Sequence, residues 1–105
     1  MTDALTVDVR HDEGVARVVL TGELDAATSG ILRSAVERAL ERDDTARLVV
    51  DLTQVAFVDS SGLRAILQAK MTSAEVPVDV RVSPTSAVAR MFVMTGVGDF
   101  LLDDD

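Results

Sequence analysis

Two serine hydroxyls stand directly behind a carboxylate in the segment Asp59-Ser60-Ser61-Gly62. Apolar residues recur at helical spacing after this segment, so it lies at the start of a predicted helix. A helix start stabilises anionic oxygens, including those of a phosphate on a hydroxyl, through its free backbone N–H groups and its dipole. One oxygen-bearing side chain is enough for a cap, yet three stand here in a row. The pattern indicates either a helix cap or an exposed site of serine modification.

The chain lacks the partners that a catalytic serine needs. A serine nucleophile requires a base, but the one histidine, His11, falls in a polar turn where we expect it to be exposed. No Gly-x-Ser-x-Gly turn is present, and one histidine without any cysteine offers no metal site built on those residues. Paired carboxylates of the glycosidase kind stay open, although so small a domain leaves little room for a substrate cleft. We predict no catalytic residues, no metal and no cofactor.

The N-terminal half of the chain predicts a hairpin followed by a helix. Apolar and polar residues alternate over residues 5–10, a turn follows, and residues 15–21 form the second strand. The period becomes helical from about residue 27 to residue 42. The apolar face of this helix consists of Ile31, Leu32, Ala35, Val36, Ala39 and Leu40. Either Asp25 or Thr28 can cap its start.

The C-terminal half predicts two strands that alternate with two helices. Residues 47–52 are almost wholly apolar, as in a parallel strand buried on both faces, and a short connection leads to the second helix. That helix begins near Asp59 or Ser60. Its expected inward face consists of Leu63, Ile66, Leu67 and Met71. Residues 78–82 alternate again as a strand.

The last predicted helix is bracketed by residues typical of helix ends. Ser83 is the expected N-cap and Pro84 the first helical residue, where its missing N–H costs nothing. Gly96 is the expected stop, and the inward residues are Val88, Met91 and Phe92. The element order is therefore β-β-α-β-α-β-α, with two crossovers that imply parallel strands. Together with the hairpin, this predicts one α/β domain with a mixed β-sheet packed with helices.

Composition indicates one domain with an acidic surface. The 105 residues predict a single domain over residues 1–105, with an acidic tail at residues 103–105. Hydrophobic residues make up 48% and aromatic residues 3%, so the core must be aliphatic. The formal net charge of −8 repels nucleic acid and anionic membranes, and we expect neither as a partner. The negative charge either favours encounter with a basic protein surface or serves solubility alone.

The chain carries no recognisable targeting segment. Its N-terminus lacks the basic residues and the apolar run of a signal peptide, and no apolar run approaches the roughly 20 residues of a membrane span. No cysteine is present for a disulfide. The expected location is therefore cytoplasmic.

Two segments resemble the motifs of a known family. Gly22-Glu23-Leu24-Asp25 follows the second predicted strand, and Phe57-Val58-Asp59-Ser60-Ser61-Gly62-Leu63 opens the second helix. With the order of elements and the closing helix, they resemble the anti-sigma factor antagonists of the STAS domain class over essentially the whole chain. Either motif alone is weak, but both at this separation are fairly specific.

The resemblance implies a partner-switching regulator and not an enzyme. Such a protein, when unphosphorylated, binds an anti-sigma factor that is also a serine kinase, and so frees the sigma factor for RNA polymerase. The kinase phosphorylates the serine directly after the motif's aspartate, here Ser60, and the antagonist is released. A serine phosphatase resets it. The chain itself has no phosphate-binding loop for nucleotide, and a monomer or a weak dimer both stay open.

Five neighbours of this serine are candidates for the partner contact. By the resemblance, Asp25 ends the adjacent strand and either shapes that contact or caps the first helix. Asp59 holds the serine loop or caps the second helix; Ser61 and Gly62 share the surface, where the glycine leaves room for close approach. Arg64, one turn further on, either contacts the phosphate or is merely solvated.

The fold admits another use. A STAS-like domain can be a structural or regulatory subunit of a lipid transporter or of a stress-signalling complex. The Asp-Ser-Ser-Gly segment favours the phosphorylation switch. Co-purification with a transport ATPase, and not with an anti-sigma factor, would favour the subunit.

Overall fold

Four strands and three helices alternate along residues 5–98, the part of the chain that the computed structural model describes. In chain order they are β1 (Leu5–Asp12), β2 (Val15–Leu24), α1 (Ser29–Leu40), β3 (Arg47–Val58), α2 (Ser60–Lys70), β4 (Val78–Arg81) and α3 (Ala87–Met94). The predicted order of elements is confirmed. The acidic tail expected at residues 103–105 lies outside the described residues.

The strands form one mixed sheet in the order β1-β2-β3-β4. β1 and β2 are antiparallel, and Asp12 faces Val15 across a tight hairpin. The two turn residues, Glu13 and Gly14, have positive φ values of 51° and 84°, the conformation whose twist matches that of the flanking strands. β2 pairs with β3, and β3 with β4, in parallel. The predicted combination of a hairpin with parallel strands is confirmed.

β3 is longer than the sequence pattern predicts, because its pairing with β2 is irregular. Register shifts lie between Val19 and Thr21 and between Gly22 and Glu23 of β2, and at each of them β3 holds one extra residue. Each extra residue changes which positions face the core. The buried residues in the second half of β3 are consequently spaced by three: Leu52, Val55 and Val58. The apolar run on which the prediction rests ends at residue 52, whereas the strand continues to residue 58.

The core lies between the sheet and its helices and is aliphatic, as the composition predicts. Its largest fully buried side chains include Leu20, Leu24, Leu32, Leu48, Leu52, Ile66 and Phe92. Burying side chains of this kind contributes about 1.5–3 kcal/mol each, before the loss of conformational entropy is subtracted. Leu24 belongs to the end of β2 and Ile66 to α2, so the core reaches the sheet edge where the motif segments lie.

The buried face of α2 agrees with the prediction in part. Ile66 is fully buried, and Leu63 and Leu67 are half-buried and packed against the core, but Met71 is 64% exposed. The buried residues of this helix are Gly62, Ala65, Ile66 and Ala69. The prediction relied on large apolar side chains, whereas small residues let a helix lie closer to its neighbour. α1 shows a milder deviation, since Ile31 on its expected inward face is 37% exposed.

α3 begins three residues later than predicted, at Ala87. Its N-cap is Ser86, whose hydroxyl accepts a hydrogen bond from the Ala89 N–H at 3.1 Å. Ser83, the expected cap, instead closes the preceding turn, because its carbonyl oxygen accepts from the Ser86 N–H at 3.0 Å. Pro84 therefore lies in a turn and not in the helix.

The end of α3 is as predicted. Gly96 has a φ of 81°, which favours glycine. Its N–H donates to the carbonyl oxygen of Val93 at 3.1 Å, and the N–H of Val97 donates to that of Phe92 at 3.1 Å. This pair of bonds is the Schellman motif, which satisfies carbonyls that a helix end leaves free.

The carbonyl oxygen of Ala39, near the C-terminal end of α1, is contacted by two side chains from outside the helix. The Thr45 hydroxyl donates to the carbonyl oxygen of Ala39 at 3.1 Å. His11, which the sequence places in an exposed turn, lies in β1 and is half-buried, with Nε2 3.5 Å from the same oxygen. In the loop between α1 and β3, a hydrogen bond from Arg42 holds the pKa of the exposed Asp44 carboxyl below its usual value.

Candidate functional site

The carboxyl ends of β2 and β3 bring the two motif segments side by side. Leu24, the last residue of β2, pairs with Val58, the last residue of β3. Asp25 and Asp59 follow directly, and the Asp59 N–H donates to the carbonyl oxygen of Leu24 at 3.2 Å. The extra residues in β3 make this register possible, since they let both strands end at the same place. Segments 22–25 and 57–63 therefore meet at one edge of the sheet.

Asp59 is the N-cap of α2, one of the two roles predicted for it. Its backbone is extended, with φ −98° and ψ −172°. One carboxylate oxygen, Oδ1, accepts from the Gly62 N–H at 2.9 Å, and the Asp59 carbonyl oxygen accepts from the Leu63 N–H at 2.8 Å. Because the aspartate supplies the cap, the adjacent hydroxyls of Ser60 and Ser61 are not needed for it.

The two serines of the segment differ in exposure. Ser60 is the first residue of α2 and is exposed, whereas Ser61 is half-buried. The Ser60 hydroxyl therefore lies at the positive end of the helix, where another protein can reach it. Of the two hydroxyls, that of Ser60 is the better placed for modification.

Gly62 is where α2 touches the end of β2. A Cβ built at this position would clash with the carbonyl oxygen of Leu24 and would lie 2.9 Å from its carbonyl carbon. Neither atom can move without disturbing the strand. The expectation that Gly62 leaves room for a partner is wrong, because the domain's own backbone occupies that space.

Asp25 caps a turn that precedes α1. Its Oδ1 accepts from the N–H groups of Ala27 at 3.0 Å and Thr28 at 3.1 Å. The Thr28 hydroxyl accepts from the Asp25 N–H at 2.9 Å and donates to the carbonyl oxygen of Glu23 at 2.9 Å. Thr28 is formally the N-cap of α1, but its side chain makes no cap bond to the helix. The predicted capping therefore acts on the turn and not on the helix itself.

A groove between α1 and α2 adjoins Ser60. Its volume is about 530 Å³, and it opens to solvent. Ser60 and Arg64 line it from α2, and Ser29 and Arg33 line it from α1. Arg64 was expected near Ser60 because it follows by one helical turn. Sequence reasoning missed Arg33, since nothing in the local pattern of α1 indicates which of its exposed cations faces another helix.

The described part of the chain shows neither a metal-binding cluster nor a membrane-spanning helix. Within residues 5–98, no group of three or more histidine, cysteine, aspartate or glutamate side chains is placed to hold a metal ion. The helices in that same range are all too short or too polar to cross a membrane.

The fold and the two motif segments agree with one family. The family model for the STAS domain matches residues 6–104. The chain therefore belongs to the STAS domain family, as its motifs predicted.

Three known proteins illustrate the similarity. The anti-sigma F factor antagonist of Paenibacillus polymyxa is 40% identical over 63 residues, which are 60% of this chain and 54% of that protein, so the chain spans about half the length of this curated relative. The crystal structure of an anti-sigma factor antagonist from Mycobacterium paratuberculosis superposes with a TM-score of 0.79 at 29% identity, over 94% of this chain and 83% of that one. The structure of the anti-sigma factor antagonist SpoIIAA in its unphosphorylated form superposes with a TM-score of 0.65 at 21% sequence identity, over 95% of this chain and 89% of that one. At that identity the similarity concerns the fold alone.

Proposed function

We propose that this chain is an anti-sigma factor antagonist controlled by phosphorylation of Ser60. In the proposed cycle, the unphosphorylated form binds an anti-sigma factor that is also a serine kinase and so frees a sigma factor. Phosphorylation of Ser60 by that kinase releases the antagonist, and a serine phosphatase restores it. The names of the relatives support the role, and the geometry around Ser60 supports the site.

The proposal rests on the different roles of Asp59 and Ser60 at the start of α2. Asp59 caps α2 through the Gly62 N–H, while Ser60 stands exposed as the first residue of the helix. If a serine hydroxyl made the cap hydrogen bond, phosphorylation of that hydroxyl would disturb the cap. Here the hydroxyl can be modified while the cap stays intact, and the helix dipole stabilises the added charge.

The proposed chemical step is phosphoryl transfer to the Ser60 hydroxyl. The Oγ atom attacks the γ-phosphorus of ATP held by the kinase, the bond to the β–γ bridging oxygen breaks, and ADP leaves. The hydroxyl proton passes to a base that the kinase supplies. In the reverse half of the cycle, water attacks the phosphoserine and releases inorganic phosphate. ATP and magnesium belong to the partner, because this chain has no Gly-x-x-x-x-Gly-Lys-Ser/Thr loop.

Release follows from the charge added at the contact surface. A phosphoryl group brings about −1.5 to −2 charges, and a partner that covers it must remove that anion from water. Without a compensating cation the cost is at least several kcal/mol. About 1.4 kcal/mol already weakens binding tenfold. A local electrostatic change is therefore enough for the switch, without a change of fold.

The residues around Ser60 are proposed to form the partner surface. Asp25 and Asp59 lie next to each other at the ends of paired strands, and Arg64 follows Ser60 by one helical turn on α2. Ser61 contributes from its half-buried position. Gly62 acts indirectly, since its missing side chain lets α2 lie against β2.

The test compares two serine variants with the native protein. Incubation with the cognate kinase and ATP should place one phosphate on Ser60. Ser34→Ala, which removes an exposed serine of α1 that does not line the groove, is the control and should be phosphorylated normally. By titration calorimetry, Ser60→Ala should bind the anti-sigma factor whether or not ATP is present, and Ser60→Asp should bind at least tenfold more weakly. Phosphopeptide mapping to Ser61, Thr53 or Thr28, or equal affinities for all three proteins, would refute the proposal.

A further inference from the structure

The groove beside Ser60 is basic although the chain is acidic. The net charge is −8, yet no carboxylate lines the groove among the described residues, whereas Arg33 and Arg64 both do. The groove opens to solvent, and its volume of about 530 Å³ leaves ample room for a group attached to Ser60. Arginines from two different helices therefore line the same groove as the Ser60 side chain.

The charges of these two arginines are not neutralised by ion pairs. Within residues 5–98, the ion pairs are formed by other arginines: Arg10, Arg17, Arg42 and Arg47. Arg33 and Arg64 are both exposed. Their guanidinium groups are therefore available to an anion in the groove.

The nearest carboxylates are engaged elsewhere. Asp59 caps α2, and Asp25 caps the turn before α1, so both accept hydrogen bonds from backbone N–H groups. Glu37 follows Arg33 by one turn and lines a smaller adjoining groove of about 160 Å³, which Arg33 also lines. Among the described residues, however, these two side chains form no ion pair. Within residues 5–98 the groove beside Ser60 is therefore lined by two arginines and by no carboxylate.

We propose that Arg33 and Arg64 bind the phosphoryl group on Ser60 and hold it against the domain's own surface. The inference rests on the proposed function, since it requires phosphorylated Ser60. A guanidinium group matches phosphate oxygens in a bidentate geometry. Two of them stabilise the about −2 charge of the group on the domain's own surface, while a partner that covers the group must still remove it from water. Phosphorylation then does two things at this surface: it adds bulk, and it occupies two arginines that the unphosphorylated protein presents to an acidic partner group.

The test avoids the kinase by introducing phosphoserine at position 60 during synthesis. The second pKa of the phosphoryl group, ordinarily about 6, is measured by phosphorus NMR titration at low salt. The proteins compared are those with native arginines, Arg33→Gln, Arg64→Gln and the double variant. Removing a nearby positive charge disfavours the dianion, so the pKa should rise in each. We expect roughly one unit in the double variant, the low end of the shift that a close opposite charge produces.

Arg38→Gln is the matched control, because Arg38 is exposed on α1 but does not line the groove. It removes the same charge from the same helix and should leave the pKa unchanged. Equal values in all variants would overturn the proposal, and so would a rise in Arg38→Gln as large as that in the double variant. An unchanged pKa together with weaker binding of the unphosphorylated variants to the anti-sigma factor would assign the arginines to partner contact alone, which also overturns it.

The outcome separates this inference from the proposed function. If the cognate kinase leaves Ser60 unmodified while the synthetic phosphoserine shows the expected rise in pKa, the proposed cycle fails and the arginine pair stands. If the kinase modifies Ser60 but the pKa is insensitive to both arginines, the cycle stands and the arginine pair fails. The denaturant midpoint of each variant reports whether the fold is retained.

Discussion

Two strand-to-helix junctions at one edge of the sheet begin alike and continue differently. In both, an aspartate directly follows the last residue of a strand: Asp25 after β2 and Asp59 after β3. Asp59 caps α2 at once through the Gly62 N–H. Asp25 instead caps a separate turn through the N–H groups of Ala27 and Thr28, and α1 begins only after that turn.

The two junctions also use their hydroxyls differently. The Thr28 hydroxyl is bonded on both sides, and Thr28 is only 5% exposed. Ser60 is exposed and has no part in the cap of its helix. A buried hydroxyl with bonded neighbours stabilises the fold, whereas an exposed one at the positive end of a helix is available to another protein. Because Asp59 supplies the cap of α2, the hydroxyl of the adjacent Ser60 is left exposed and outside the cap.

Gly62→Ala should have the largest effect, because it pushes the two junctions apart. The added Cβ would clash with the carbonyl oxygen of Leu24. We expect a loss of roughly 2–3 kcal/mol in the free energy of unfolding, the upper part of the range for overpacking. Gly30→Ala is the control: no atom lies within 4 Å of its Cβ position, so helix propensity should stabilise the protein by up to about 1 kcal/mol. Equal denaturant midpoints for the two variants would contradict this account of α2.

Removing one hydroxyl from each junction tests whether the buried Thr28 hydroxyl stabilises the fold more than the exposed Ser60 hydroxyl does. Thr28→Val keeps the shape of the side chain but leaves the Asp25 N–H and the Glu23 carbonyl oxygen without their partner. We expect a loss of about 1–2 kcal/mol in unfolding free energy. Ser60→Ala should change it by less than about 0.5 kcal/mol, since Ser60 is exposed. Urea denaturation of both variants is the measurement, and equal losses would remove the distinction between the junctions.

Asp59 separates the hydrogen bond of a cap from its charge. Asp59→Ala removes the acceptor for the Gly62 N–H and should cost about 1 kcal/mol of unfolding free energy. Asp59→Asn keeps an acceptor oxygen, so only the interaction of the charge with the helix dipole is lost, a few tenths of a kcal/mol. Thermal unfolding at matched buffer and salt compares them. If asparagine destabilises as much as alanine, the charge and not the hydrogen bond supports α2.

The smallest effect on stability is expected at Asp25. Asp25→Asn preserves an oxygen for the Ala27 and Thr28 N–H groups, so the denaturant midpoint should stay the same. If Asp25 also belongs to the partner surface, the lost charge should lower the rate of phosphorylation by the cognate kinase a few-fold. An unchanged rate and affinity would leave Asp25 as a turn cap only. A large fall in midpoint would show that neither role describes it.

Local patterns predicted a good part of the fold and of the site. The order of elements follows from changes between a period of two and a helical period, and the structure has that order. Asp59 as N-cap and Gly96 as helix stop were both predicted. Such features depend on backbone groups within a few residues, so the adjacent sequence contains all the information they require.

Three of the errors have a different origin, which is contact between distant parts of the chain. The end of β3, the buried face of α2 and the role of Gly62 each depend on contacts with β2. α3 was misplaced for a local reason, since Ser83 and Ser86 are both suitable caps and Ser86 takes that role. The spacing of apolar residues describes one helix or strand at a time. It therefore carries no information about the register between neighbouring strands.

The order of the elements, the aliphatic core and the serine at a helix start follow from local sequence, because spacing, composition and capping are properties of nearby residues. The proximity of Asp25 to Asp59, and the groove that Arg33 shares with Ser60, depend instead on tertiary contacts. These pairs are distant in the chain. They meet because extra residues in β3 bring two strand ends into register, and because small residues let α2 pack closely against the end of β2.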